Sequence, residues 1–199
     1  MVIELDPTIP AELNPLSWLI GLWEGTGVVD YKIGEETRSL EFGQRISFTH
    51  DGLPHLNYSS YTWLLDENNT PHVTETGYWK LTRPALEGDP GPGLLPGVGP
   101  RPYTTAQSVE ALRQSDGSFE IEVSIVHPGG VNEFYLGRAI PARIDLSTDA
   151  VLRTASAKEY TAATRLYGLV DNHLLWAWDI AALGQDLRTH ASGRLVRVE

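Results

Sequence analysis

The sequence predicts an all-β protein, a roughly ten-stranded antiparallel β-barrel with a short N-terminal helix that closes one end. Three observations support this fold class. Apolar and polar residues alternate along most of the chain, as they do from Phe119 to Ile125, and a period of two is typical of a half-buried strand. Turn-forming pairs such as Asp116-Gly117 and Asp171-Asn172 separate these stretches and favour hairpins. Bulky side chains on both faces of residues 58–63 favour a barrel that encloses a ligand.

The helix is predicted directly after an acidic, proline-punctuated start. Asn14 can accept a hydrogen bond from an N-terminal amide, Pro15 suits the first helical position, and residues 16–20 are mostly apolar. A helix of one or two turns is marginal by itself, so we expect its Trp and Leu side chains to plug one end of the barrel.

The strands are expected near residues 24–33, 41–49, 55–66, 72–83, 104–113, 119–125, 131–139, 142–147, 160–170, 174–180 and 187–198. Such a sheet hides its edges most completely by closing on itself. Residues 84–102 are rich in Pro and Gly and cannot pair in a ladder, which predicts a surface insertion, either a flap near a mouth or a neutral decoration. We expect one domain over residues 1–199, with 1–13 as an N-terminal extension.

Composition limits the function. The 26 acidic and 15 basic residues give a net charge of −11, which repels nucleic acid phosphates and anionic membrane surfaces. The absence of cysteine excludes disulfides, thiolate nucleophiles and cysteine-ligated metals. The chain shows neither the pattern of a signal peptide nor a run of roughly 20 apolar residues. We therefore expect a cytoplasmic protein without nucleic acid or membrane partners.

Few residues suggest chemistry on their own. The six histidines form no zinc-type pair, no Ser-His-Asp set can be chosen, and the catalytic residues stay unassigned. A Gly-x-Trp-x-Gly-x-Gly motif lies where the helix meets the first strand, and a structural role is favoured because no strand precedes it to make a phosphate loop. Its members are Gly21, Trp23, Gly25 and Gly27.

Five segments, in register over almost the whole chain, resemble motifs of the nitrobindin family, the fatty-acid-binding-protein-like heme barrels. Residues 21–27 fit its Gly-x-Trp-x-Gly-x-Gly motif, residues 72–81 its His-x-x-Glu-x-Gly-Tyr strand and residues 127–133 its His-Pro-x-Gly-x-x-Glu hairpin. Residues 157–159 resemble its Ala-Lys-Glu stretch, and residues 185–190 the strand that supplies the axial histidine. The resemblance implies a calycin/lipocalin-like barrel, and the 84–102 insertion is similar to a longer, actinobacterial-type branch.

The resemblance also implies a function. It implies that the chain binds heme b with His190 as the axial ligand of the iron and with Lys158 at the heme site. It further implies a mostly ferric heme that binds nitric oxide and isomerises peroxynitrite to nitrate. Arg188 is a second candidate cation for the heme propionates, because the strand register decides whether it faces inward.

One departure from the family leaves alternatives open. Related heme binders carry Tyr-Pro-Thr after the first strand, with a threonine that contacts heme, whereas this chain has Tyr31, Lys32 and Ile33. The first alternative is a non-enzymatic carrier of a fatty acid or another small apolar ligand in the same cavity. The second is a filled barrel without a ligand, which acts as a structural protein or forms a homodimer.

Overall fold

The computed structural model describes residues 9–33, 36–182 and 188–199. These residues form the following strands: β1 (Gly21–Ile33), β2 (Glu36–Thr49), β3 (Leu56–Leu64), β4 (Pro71–Leu81), β5 (Phe119–His127), β6 (Val131–Ile140), β7 (Arg143–Arg153), β8 (Tyr160–Val170), β9 (His173–Ala182) and β10 (Arg188–Arg197). Each strand pairs antiparallel with the next, and β10 pairs with β1 to close the barrel. The predicted ten-stranded antiparallel barrel is confirmed.

Closure joins the first and last strands over a long register, from Trp23 opposite Arg197 to Val29 opposite Ala191. This pairing satisfies the backbone groups that an open sheet would leave at its two edges. Several predicted turns contain a residue at positive φ, among them Gly117 with φ 85°. The turn-forming pairs therefore contain residues in the positive-φ conformation that tight hairpin turns require.

A 3₁₀ helix, Ala11–Leu19, precedes β1 and closes one end of the barrel. Because a 3₁₀ helix has three residues per turn, leucines at a spacing of three lie on one face. Three such leucines are fully buried: Leu13, Leu16 and Leu19. The predicted plug is confirmed, but its predicted start is wrong, because Pro10 is the N-cap and Pro15 lies inside the helix. The apolar stripe, and not a cap at Asn14, fixes this helix.

The glycine and tryptophan motif connects the 3₁₀ helix to the barrel. The indole nitrogen of buried Trp23 donates a hydrogen bond of 2.7 Å to the carbonyl oxygen of Leu19. The guanidinium of Arg197 lies 4.6 Å from the centre of the Trp23 ring. A Cβ at Gly27 would lie 2.5 Å from the Phe42 ring, so glycine there leaves room for an inward-facing aromatic side chain.

The strand expected at residues 104–113 is wrong, since a helix, α1 (Ala106–Glu110), lies there. Thr105 Oγ1 accepts a hydrogen bond of 3.1 Å from the Ser108 amide, and Ser108 Oγ accepts one of 3.1 Å from the Thr105 amide. This capping box stabilises the helix start locally and outweighs the apolar alternation that suggested a strand.

The Pro/Gly-rich insertion lies at the end closed by the 3₁₀ helix. Arg83, 8% exposed, bonds Glu12 of the 3₁₀ helix at 2.7 Å and Asp89 of the insertion at 2.7 Å. The insertion contains a 3₁₀ turn, Pro92–Leu94. It is therefore tied to the helix that plugs the barrel. None of the helices in the described ranges has the length and hydropathy of a membrane span.

Candidate functional site

A cavity of about 280 Å³ lies inside the barrel, among residues from the end of β1 and the start of β10. This is the end opposite the 3₁₀ helix, which precedes the start of β1. Its apolar wall is formed by aliphatic and aromatic side chains of four strands: Val29, Phe42, Ile46, Trp176, Trp178 and Ala191. A concave apolar wall with a few polar groups is typical of a small-molecule site.

His190 lies on the wall of this cavity. In a regular strand two successive side chains face opposite sides, yet both His190 and Ala191 line the cavity. The register between β10 and β9 shifts between Thr189 and Ala191, and this irregularity gives His190 its inward direction. The half-buried imidazole packs against Trp178, with ring centres 5.8 Å apart and planes at 83°.

Hydrogen bonds and one glycine hold the aromatic wall in place. The Trp176 indole nitrogen donates a bond of 2.7 Å to Gln44, and the Gln44 amide donates one of 2.9 Å to Ser60. A Cβ at Gly193 would lie 2.5 Å from that indole nitrogen, so glycine is needed for the ring to lie over β10. These contacts fix the orientation of the Trp176 ring in the cavity wall.

Four ionisable side chains from four strands meet beside the cavity, and we call them the buried ionic cluster: Glu75 of β4, His127 of β5, Glu133 of β6 and Arg165 of β8. Arg165 binds Glu75 through two hydrogen bonds of 2.7 and 2.9 Å and Glu133 through one of 3.1 Å. His127 Nε2 lies 2.7 Å from Glu133, and its Nδ1 lies 3.6 Å from Glu75. The Arg165 side chain is 4% exposed and that of Glu133 0%.

The cluster keeps its carboxylates ionised. Burial by itself would raise the pKa of Glu133, but the Arg165 charge and hydrogen bonds from His127, Tyr135 and Tyr160 lower it to about 2. Burial likewise opposes ionisation of Glu75, and the Arg165 charge again outweighs it and lowers the pKa. These ion pairs thus offset the cost of removing the charges from water.

Tyrosines complete the hydrogen bonding of the two carboxylates. Tyr58 donates a bond of 2.5 Å to Glu75, Tyr135 donates one of 2.5 Å to Glu133, and Tyr160 also donates to Glu133. Burial and the neighbouring carboxylate raise the pKa of Tyr160, so its proton stays on the phenol oxygen. The carboxylate oxygens are therefore committed to partners within the protein.

Trp178 connects the buried ionic cluster to His190. The Arg165 guanidinium lies 4.2 Å from the centre of one Trp178 ring, and the His127 ring stacks on Trp178 at 6.1 Å with an 11° interplanar angle. Trp178 also contacts His190. The cluster therefore fixes the indole against which the imidazole of His190 rests.

The structure brings together some of the predicted residues. His190 lines the cavity, whereas Lys158 is exposed in the segment between β7 and β8 and does not line it. The side chains of Ile33 and Arg188 lie outside the described residues, as do residues 1–8 of the predicted extension and 183–187 of the last motif.

Sequence reasoning missed the cluster. Glu75, His127 and Glu133 belong to segments used for the family resemblance, but no role was assigned to them. One signal was available in the sequence, the alternation of side chains between the two faces of a strand. Arg165 lies two residues from both Ala163 and Tyr167 on β8, so all three side chains face the same side of the sheet. Ala163 and Tyr167 are buried, so this is the inner side.

The site fits the heme that the resemblance implies. His190 offers an imidazole nitrogen, and the aromatic wall suits the apolar faces of a porphyrin. The indole N–H of Trp178 is buried and has no hydrogen-bond partner in the described part of the chain, which suits a cavity that takes up a ligand. Glu75, His127 and Glu133 also place ligand atoms within 4.8 Å of one another, but Arg165 already binds both carboxylates.

A larger open cleft of about 710 Å³ lies between the 3₁₀ helix and the insertion. It contains none of the predicted site residues, and its Arg83 is already paired with Glu12 and Asp89. The smaller cavity beside His190 is therefore the better candidate for the functional site.

Comparison with known proteins agrees with the geometry. Residues 12–197 match the THAP4-like, heme-binding β-barrel domain. Proteins named peroxynitrite isomerase are 69% identical over 198 residues in Leifsonia xyli and 65% identical over 199 residues in Clavibacter michiganensis, and both alignments cover 100% of each chain. The crystal structure of Rv2717c from M. tuberculosis has the same fold, with a TM-score of 0.67 and 24% identity over 98% of this chain and 100% of that one. The chain therefore belongs to the nitrobindin family of THAP4-like heme-binding β-barrels.

Proposed function

We propose that this chain is a heme b protein of the cytoplasm, one domain over residues 1–199, that isomerises peroxynitrite to nitrate and binds nitric oxide. The observation that carries the proposal is the inward-facing imidazole of His190 on an apolar, aromatic cavity wall. The names of the full-length relatives support the reaction. The lack of cysteine suits a reducing compartment.

Ferric heme, when bound, would supply a Lewis-acidic iron. The residues of the chain supply the rest. His190 is the proposed ligand, and Trp178 restricts the rotation of its ring through an edge contact at 5.8 Å. Phe42 and Trp176, which line the cavity, would cover the apolar surface of the cofactor and exclude water from it. The isomerisation needs no net proton or electron, which agrees with a cavity whose carboxylates are all committed to partners.

Lys158 is the proposed cation for the heme propionates. It is exposed, and it lies two residues before Tyr160, whose ring centre is 6.4 Å from that of Trp178. An exposed ammonium near the cavity end of a chain of charge −11 suits an anionic group that projects from the barrel.

A heme titration tests the proposal. The full chain and its His190→Ala variant are titrated with ferric heme while the Soret band and its response to nitric oxide are followed. His173→Ala is the matched control, because His173 lies on β9 outside the cavity lining. We expect one heme per chain in the parent and control, and binding weakened about tenfold or more with an altered Soret band in His190→Ala.

Peroxynitrite decay is then measured with nitrate as the quantified product. We expect faster decay with the loaded parent and control proteins than with loaded His190→Ala. Identical spectra for parent and His190→Ala would remove His190 as the ligand, and absence of saturable heme binding would favour the carrier alternative.

A further inference from the structure

Arg165 is the arginine that lines the cavity in the described part of the chain, and protein groups already bind its guanidinium. Its two terminal nitrogens bind Glu75 at 2.7 and 2.9 Å, in the paired geometry with which arginine recognises a carboxylate. Its Nε donates to Tyr135 at 3.0 Å, and one terminal nitrogen also reaches Glu133 at 3.1 Å. A guanidinium in this state has no donor pair left for a ligand.

The two carboxylates differ in their position relative to the cavity. Glu75 and Arg165 both line the cavity, whereas Glu133 does not. The Glu75 side chain is 13% exposed and the Glu133 side chain 0%. Glu75 is therefore the carboxylate that competes with the cavity contents for Arg165, and Glu133 lies behind the wall.

The charges of the cluster oppose a further anion. Arg165 contributes one positive charge and the two glutamates two negative charges, so the sum is −1 with neutral His127 and zero with protonated His127. A carboxylate that approaches the cluster meets no net positive charge from its four members in either state. With neutral His127 the net charge of −1 repels the carboxylate, and water screens this repulsion little in a buried site.

We infer that Glu75 occupies the position that the head group of an acidic ligand would take and so acts as a specificity-determining residue. The cavity selects against ligands that present an anionic end to Arg165, such as fatty acids, and favours ligands that present an uncharged apolar edge to Phe42 and Trp176. This inference goes beyond the proposed activity and does not depend on it, because it concerns the heme-free chain.

Calorimetric titration with a matched ligand pair tests the inference. Decanoate and decanol have the same chain and differ in the charge of the head group. The full chain without heme is compared with Glu75→Ala and with a control, Glu120→Ala, in which the removed carboxylate is exposed on β5. We expect parent and control to bind decanol at least as tightly as decanoate. Glu75→Ala is expected to prefer decanoate by about tenfold or more, since a charge-assisted hydrogen bond contributes that much.

A second measurement covers the case in which Glu75→Ala folds poorly. Acetate is small enough to replace the missing carboxylate, so it should raise the melting temperature of Glu75→Ala saturably, while chloride at equal ionic strength should not. Glu75→Gln keeps the side-chain volume and should show the same preference for decanoate more weakly.

Two results would overturn the inference. The first is a parent protein that binds decanoate more tightly than decanol. The second is Glu75→Ala without a decanoate preference and without a specific response to acetate. Heme binding by the same variants is scored separately, so failure of the heme proposal leaves this test intact.

Discussion

The two ends of the barrel have the same alternating strands but different interiors. At the closed end, Leu16, Leu19 and Trp23 are fully or almost fully buried among apolar neighbours. At the cavity end, Arg165 and Glu133 are buried among charged and phenolic groups next to an open volume. Apolar packing stabilises the first end, whereas the second contains charges whose burial costs free energy. The comparison teaches that the two ends of one sheet are held by different interactions, apolar packing at the closed end and ion pairs beside the ligand cavity at the other.

The largest effect is expected at the cavity end, for Arg165→Met. The substitution leaves Glu75 and Glu133 buried without their cation, which should lower the free energy of unfolding by about 3–5 kcal/mol. Urea unfolding of the heme-free chain at neutral pH measures it. Arg138→Met is the control, because Arg138 pairs with Asp116 on the surface and should lose less than about 1 kcal/mol. Equal losses for the two variants would contradict the ionic character of the cavity end.

A somewhat smaller effect is expected at the closed end, for Leu16→Ala. Removing a fully buried leucine from the 3₁₀ helix should cost about 3 kcal/mol, from lost apolar burial and the space left behind. Leu152→Ala, on a side chain that is 68% exposed, should change stability by less than about 0.5 kcal/mol. Differential scanning calorimetry of both variants gives the comparison. A Leu16→Ala protein as stable as its control would show that the plug contributes little.

The third effect, comparable in size to the second, concerns acid unfolding. The folded-state pKa of Glu133 is lowered from 4.5 to about 2, so its contribution is fully present above pH 4.5 and is lost as the pH falls towards 2. The expected contribution is about 3 kcal/mol. Free energies of unfolding measured across this range should depend less steeply on pH in Glu133→Gln than in the parent.

The closed end supplies the matched variant for that measurement. A hydrogen bond from Arg83 lowers the pKa of Asp89 to about 2 as well, but the Asp89 side chain is 17% exposed and more open to screening. Asp89→Asn should therefore flatten the pH dependence less than Glu133→Gln does, especially in salt. The reverse order would assign the acid sensitivity to the closed end.

Local patterns predicted the fold because they depend on neighbours in sequence. Alternation and turn pairs located the strands, since each hairpin is closed by residues close together in the chain. The strand expected at 104–113 failed for a local reason as well, because the capping box of Thr105 and Ser108 favours a helix there. The 3₁₀ helix was placed too late, since its leucine spacing of three, and not its cap, determines its extent.

The site was less predictable, because it depends on pairings across the barrel. Arg165 and Glu75 are separated by 90 residues, and no local pattern reveals that both side chains face the same cavity. His190 was predicted from the family resemblance, while its inward direction comes from a register shift that alternation alone would not suggest. Trp178 was assigned to a strand, but its contacts with both His190 and Arg165 required the structure.

The pairing of β10 with β1 also determines when the cavity is completed during folding. These two strands are separated by nearly the whole described chain, and contacts of such long range form late because loop closure is costly in entropy. The wall that carries His190 exists only once β10 has paired with its neighbours. A chain that lacks β10 therefore has two open sheet edges and an incomplete cavity.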